Sequence, residues 1–227
     1  MSNINSPYIN TEYHTRVDLV PYQMNNDVYK NLKINLKKDI EKKCNKYGYV
    51  VKVFKITDYS HGIIEPENFL ASAIYNVKFS CRMCIPSIKT KLICVISNTN
   101  KALIVAENGP IISVITTKNV NYTNFIVDNN GILNHKKKDG TSQQLKSKDI
   151  IKITVIATKF NKGDNNIKIF GFLEDIASKE EKEMYYSDLH YKENIETDDK
   201  DEYIEQNSDQ SENEDEFDIV DENEEFI

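Results

Sequence analysis

The sequence predicts an α+β chain, a helix laid on an antiparallel sheet followed by a small β-barrel, and three observations predict it. Only one segment has a helical period: Val28, Leu32, Leu36 and Ile40 recur every four residues and form one apolar stripe. Every other patterned stretch of the body alternates at period two or is a short β-branched run. The charge is split as well. Residues 1–176 carry 25 Lys and Arg against 15 Asp and Glu, a net of +10, whereas residues 177–227 carry 4 against 21, a net of −17. A body of that length can bury a core, as one domain or two. The acidic end, 177–227, has too few apolar residues to offset the entropy of ordering it and is predicted to be disordered.

The elements follow in order. Tyr13, Thr15, Val17 and Leu19 share one face of a strand over residues 12–20, stopped by Pro21. Asn26-Asp27 offers an N-cap to the helix, whose Lys33, Lys37, Lys38 and Lys42 lie largely outside the apolar stripe and whose end is predicted near Cys44-Asn45. Tyr47-Gly48-Tyr49 turns into residues 50–56, apolar on both faces at the start and therefore a central strand. Residues 62–66 read as an edge strand, because Pro66 cannot donate to a ladder, and residues 73–80 alternate cleanly. The order β-α-β-β-β makes a first domain of residues 1–86.

From Lys89 onward the pattern is strands only, at 90–97, 102–106, 111–116, 150–156 and 167–173. Asn98-Thr99-Asn100-Lys101 and Asn108-Gly109-Pro110 supply turn chemistry between them. Five short strands in residues 87–176 predict a closed or partly closed barrel, of which the OB-fold is the commonest five-stranded kind. The polar stretch 119–149 is predicted to hold a short hairpin, from the turn pairs Asn130-Gly131 and Asp139-Gly140.

Composition excludes several classes. No run approaches the roughly 18–20 apolar residues of a membrane span, and residues 1–13 lack the order of a secretory signal, so a soluble, intracellular chain is expected. Cys44, Cys81, Cys84 and Cys94 are too sparse for a disulfide scaffold. Cys81-Arg82-Met83-Cys84 has knuckle spacing, but no second pair follows to complete four ligands, and on a continuing strand the two thiols would point to opposite faces. The four His residues are scattered, no phosphate-binding glycine loop is present, and no nucleophile motif appears, so neither catalysis nor a cofactor or metal is expected.

The positive signal is lysine. The chain has 27 Lys against 2 Arg, so a basic surface here would meet phosphate as point charges and not through the planar Arg fork. Lys89, Lys91 and Lys101 flank the first barrel strands, Lys118, Lys136, Lys137, Lys138, Lys146 and Lys148 crowd the long polar stretch, and Lys152, Lys159, Lys162 and Lys168 follow. One reading is a phosphate-tracking surface with little sequence preference. The other is a solvated face in a chain rich in Lys, Asn and Ile. The aromatics available for stacking bases are Tyr122, Phe125, Phe160 and Phe170, any of which could be core. The acidic end is open to three roles: solubilising appendage, partner-binding segment, or competitor for the basic face.

A series of landmarks then resembles a known family. Residues 44–53 at a helix-to-strand turn, Gly62-Ile63-Ile64-Glu65-Pro66, Tyr75-Asn76-Val77-Lys78-Phe79, Pro86 before a Lys-bearing strand, Asn108-Gly109-Pro110-Ile111 and the late 167–173 strand are together similar to the seventh-subunit family of eukaryotic RNA polymerase II and its archaeal counterpart. The resemblance spans residues 8–176. It implies an RNP-like tip domain over 1–86, an OB-fold barrel over 87–176, and a disordered acidic tail over 177–227. It also implies a non-catalytic stalk subunit of a DNA-directed RNA polymerase, docked on the core near the clamp, holding nascent RNA at the exit and supporting initiation. Gly48, Tyr49, Gly62, Ile63, Ile64 and Pro66 match the docking region. Lys89, Lys91, Lys101, Lys118, Lys152 and Lys168 are the RNA-contact candidates on the barrel.

The implied partners are the polymerase large subunits, nascent RNA and a fourth-subunit-like stalk partner, with no membrane. Two family features are missing: the glycine and acid after the proline motif, where Pro86-Ser87-Ile88-Lys89-Thr90 stands, and a Gly-aromatic pair opening the second barrel strand, where Lys101-Ala102-Leu103 stands. Both fall in the RNA-facing part. The divergence and the Lys, Asn and Ile bias resemble polymerase subunits of large DNA viruses or of A/T-rich protists. The implied location is the nucleus for a cellular protein, and virion and host cytoplasm for a viral one. The alternatives are a free-standing OB-fold RNA-binding protein such as a translation factor, which predicts steeply salt-dependent RNA affinity without a polymerase partner, and a protein-only adaptor, which predicts none.

Overall fold

The computed structural model describes residues 6–128, 132–136 and 141–188. The chain divides into two compact units, Met1–Glu183 and Met184–Ile227. Residues 184–188, the described part of the second unit, are helical.

The first unit opens with β1 (Tyr8–Leu19), a 3-10 turn (Pro21–Gln23), α1 (Val28–Ile40), β2 (Lys43–Cys44), β3 (Tyr49–Tyr59), β4 (Ile63–Ile64) and β5 (Ala73–Cys84). The strands make an antiparallel sheet in the order β1-β5-β3-β2, with the short β4 added to β5. The four-residue stripe of α1 does what its spacing requires. Leu32 and Leu36 are fully buried against Val17, Leu19, Val53, Ile56, Val77 and Phe79, and Val28 and Ile40 pack at the margin. Asn35 Nδ2 donates to the Asp18 carbonyl at 2.9 Å, tying the helix to β1.

Two local expectations change. Asp27 occupies the N-cap position but its side chain makes no capping hydrogen bond. The helix stops at Ile40, four residues short of the predicted end. Glu41 is extended, Lys42 has φ of 59°, and Lys43–Cys44 turns back to pair with Tyr49–Val50. The backbone of that pair has strand partners to satisfy it, which a further helical turn would forfeit.

The barrel comprises β6 (Lys91–Thr99), β7 (Leu103–Asn108), β8 (Ile111–Thr116), and, after an insert, β12 (Ile150–Lys159) and β13 (Ile167–Ile176). The insert is β9 (Phe125–Val127), β10 (Leu133–Lys136) and β11 (Ser142–Gln144), a three-stranded sheet where one hairpin was predicted. Its two predicted turn pairs lie at residues 130–131 and 139–140, outside the described residues. The barrel closes in the order β6-β7-β8-β13-β12 and back to β6, antiparallel throughout except for the parallel β8–β13 ladder. Leu92, Cys94, Ile96, Ile104, Ile115, Ile151, Ile153, Val155 and Ile169 fill it.

The insert is held to β13. Asn121 N–H donates to the Leu173 carbonyl at 2.9 Å, and His135 Nε2 lies 3.0 Å from Asp175 Oδ1. Disorder was predicted from residue 177, yet residues 179–183 are helical, with Ser178 N–H donating to Glu181 Oε2 at 2.8 Å. An acid three residues after a serine at a helix start is the local reason. The rest of that prediction concerns residues 189–227, outside the described residues.

The N-terminal sheet and the barrel interlock. β5 runs on through Cys81-Arg82-Met83-Cys84, so Cys81 enters the core under α1 while Cys84, on the other face, enters the barrel core. Cys44 N–H donates to the Asp164 carbonyl at 2.7 Å, and Gly163 N–H returns the bond to the Cys44 carbonyl at 2.8 Å. The Tyr8 hydroxyl reaches Asn108 Oδ1 at 3.3 Å, and its ring lies 5.2 Å from the Arg82 guanidinium.

Candidate docking and nucleic-acid surfaces

The predicted docking residues fall in two places. Gly48 is buried at the seam between sheet and barrel, where a Cβ would come within 2.6 Å of the Cys84 carbonyl oxygen, so only glycine fits the approach. Tyr49 is half-buried beside it, against the barrel core. These two residues sit in the seam and are not a free surface.

Gly62, Ile63, Ile64 and Pro66 are exposed, at the far end of the sheet. Gly62 packs onto the ring of Tyr75, whose nearest atom would lie 2.6 Å from an added Cβ. The loop that follows adds two residues that sequence reasoning missed. Phe69 is 103% exposed and Leu70 76%. They are held there by the loop's own bonds: Asn68 Nδ2 donates to Ser72 Oγ at 2.6 Å, Leu70 N–H donates to Asn68 Oδ1 at 3.1 Å, and Ala71 N–H donates to the Asn68 carbonyl at 3.0 Å. Ala71 adopts φ of 50°, a left-handed conformation that costs a non-glycine residue about 1 kcal/mol or more. The available signal was a Phe-Leu pair in a loop with no strand or helix period to bury it.

The six predicted RNA-contact lysines also separate. Lys91 Nζ pairs with Glu174 Oε2 at 2.6 Å, and Lys152 Nζ with Glu181 Oε1 at 2.9 Å. Burial pushes the Glu174 carboxyl up, but hydrogen bonds from Lys91 and Thr154 outweigh it and hold the group below the usual carboxylate value. Glu181 is likewise raised by burial and lowered further by Lys152 and Ser178. Lys89, in the linker with φ of 67°, and Lys101, Lys118 and Lys168 are exposed. Lys101 and Lys118 flank one end of the β7–β8 ladder, where Thr117 N–H donates to the Ala102 carbonyl at 3.4 Å, and Lys168 stands at the other end of β8, opposite Ile112. Of the candidate stacking aromatics, Phe125 is core, Phe160 packs on the barrel core, and Tyr122 and Phe170 are exposed.

The thiols take no part in a surface. All four are buried, and burial raises Cys44 and Cys81 to about 11 and Cys94 further.

No family model matches the chain. It is 32% identical over 199 residues, 88% of its own length, to a protein of Acanthamoeba polyphaga mimivirus named "Putative DNA-directed RNA polymerase subunit L376", of which the match covers 98%. The chain belongs to the family of DNA-directed RNA polymerase subunits. Among the described residues of this polymerase subunit, no group of three or more His, Cys, Asp or Glu is placed to hold a metal ion, and no helix is long and apolar enough to cross a membrane.

Proposed function

We propose that the chain is a non-catalytic stalk subunit of a multisubunit DNA-directed RNA polymerase, of the seventh-subunit kind. Residues 1–86 form an RNP-like tip that docks on the core near the clamp, residues 87–176 an OB-type barrel that contacts nascent RNA at the exit, and residues 177–227 an acidic extension. The five-stranded barrel with its parallel β8–β13 closure fits an OB-like fold, and the mimivirus relative supports a polymerase setting and a viral or intracellular location. The partners are then the large subunits, which hold the polymerisation chemistry, and a fourth-subunit-like protein where one exists.

The observation that carries the docking assignment is the loop at residues 62–71, where Ile63, Ile64, Phe69 and Leu70 stand in solvent on a hydrogen-bonded frame. Isolated apolar residues on a surface need no explanation, but a cluster held outward by strained backbone is the pattern of a protein-binding site. Docking therefore rests on this loop, with Gly48 and Tyr49 fixing the seam behind it.

The test is co-purification of tagged full-length chain with polymerase core from its native source. The expected result is recovery of the large subunits with the native chain and loss of recovery with Phe69→Asp/Leu70→Asp. Recovery unchanged by the double substitution would overturn the docking assignment, and no polymerase recovered with the native chain would overturn the stalk reading.

A further inference from the structure

The outer face of β13 carries a feature that the predicted lysine set does not contain. β13 alternates with Ile167, Ile169 and Gly171 turned into the barrel and Lys168 and Phe170 turned out. Phe170 is 47% exposed although it stands mid-strand. Its rung across the barrel is apolar: Ala157 on β12, then Phe170, then Val114 on β8 and Val105 on β7, each directly opposite the next. Val114, Val105 and Ala157 are all partly exposed, so the rung is open to solvent.

The next rung is basic. Lys159 on β12 lies directly opposite Lys168 on β13, and both are exposed. Like charges directly opposite in a sheet destabilise the pair. Among the described residues neither forms an ion pair. Glu174 is taken by Lys91 and Thr154; Asp164 Oδ2 accepts the Asn161 N–H at 2.7 Å and pairs with neither lysine, and Glu107 stands beyond Ile112, two strands from Lys168. A partly exposed apolar row centred on Phe170, with two lysines beside it that form no ion pair, suits a ligand that is a polyanion with stackable rings.

We infer that the Phe170 face, flanked by Lys159 and Lys168, is a base-stacking site for single-stranded RNA. This rests on the RNA-contact reading of the barrel and moves its centre. The opening of the second barrel strand, Lys101-Ala102-Leu103, offers no ring, and Phe170 stands two strands across the same outer face. A base stacks on Phe170 while its flanking phosphates meet Lys159 and Lys168, so recognition is tolerant of sequence and sensitive to salt.

The experiment measures binding of the full-length chain to a fluorescent oligouridylate of about twelve nucleotides across a salt series, beside polymerase co-purification for each variant. Phe170→Ala is expected to weaken RNA binding about tenfold, equivalent to about 1.4 kcal/mol, and Phe170→Trp to restore it. Lys159→Gln/Lys168→Gln is expected to lower the salt slope by about 1.4, at ~0.7 per phosphate contact on a single strand. Because Phe170 is half in solvent, an unchanged melting temperature separates lost stacking from lost folding. RNA binding unaffected by Phe170→Ala would overturn this site and leave RNA contact at Lys101 and Lys118 standing. No RNA binding by the native chain at low salt would overturn both. Loss of polymerase recovery by Phe170→Ala with RNA affinity intact would assign the face to a protein partner and overturn the proposal.

Discussion

The N-terminal sheet and the barrel are built by the same means, β-branched strands closed over one buried face, yet they show solvent different chemistry. Between Lys55 and Lys78 the sheet's far end has no lysine, and Tyr59, Ile63, Ile64, Phe69 and Leu70 are exposed there. The barrel exposes lysines instead, and neutralises two of them with Glu174 and Glu181. An apolar cluster gains most by burial against another apolar surface, and an uncompensated basic one by meeting a polyanion. One interlocked body thus presents two surfaces of opposite chemistry. The two surfaces come from separate stretches of the chain, whereas the seam between the regions is drawn from both.

The largest effects test the premise of one body. Leu36→Ala empties a fully buried site under α1, and Ile153→Ala does so inside the barrel. Each is expected to cost about 2–5 kcal/mol. Cys84, Tyr8 and Cys44 belong to the barrel core although they come from the N-terminal strands. Both substitutions should therefore lower the midpoint of one shared transition, followed by circular dichroism and by tyrosine fluorescence, which is clean in a chain without Trp. Two separated transitions, each moved by one substitution, would divide the molecule into two independent domains.

A smaller effect concerns the barrel side. Glu174 and Glu181 both have folded carboxyl values below their unfolded ones, because hydrogen bonds from the paired lysines overcome the burial that raises them. A lowered folded value means that the stabilisation is complete above the unfolded pKa and is lost as pH falls through the folded one. Stability should thus be flat from neutral pH down to the carboxylate range and decline below it. Glu174→Gln/Glu181→Gln should be less stable than the native chain near neutrality and should lose less on acidification. A parallel decline in the two proteins would show that these pairs contribute nothing measurable.

Much of this was legible in the residues. The helix was readable because Val28, Leu32, Leu36 and Ile40 must share a face, and the barrel strands because Asn-rich turns punctuate them. β2 was not, since two residues carry no period and their pairing with β3 is decided by the backbone of the turn. The lysine pairs were also hidden: Lys91 lies 83 residues from Glu174 and Lys152 lies 29 from Glu181, so nothing local predicts which lysines stay free. Phe170 and Phe125 read alike as aromatics. The alternation of residues 167–171 separates the first as outward-facing, whereas the burial of Phe125 depends on how the insert folds back on β13. The seam was foreshadowed only by the Cys-x-x-Cys spacing, which places two thiols on opposite faces of one strand.

The smallest expected effect on stability is at the residues given the largest functional role. Phe69 and Leu70 are exposed, and their side chains take no part in the bonds of Asn68 that shape the loop. Surface substitutions that remove no buried contact usually change stability by less than about 0.5 kcal/mol. Phe69→Asp/Leu70→Asp should therefore melt within about a degree or two of the native chain, by calorimetry on the isolated protein. If the pair were a misplaced piece of core, their replacement by charge would cost several times that amount. A near-zero change alongside lost polymerase recovery would mark a surface kept apolar for a partner, since the isolated fold gains nothing from it.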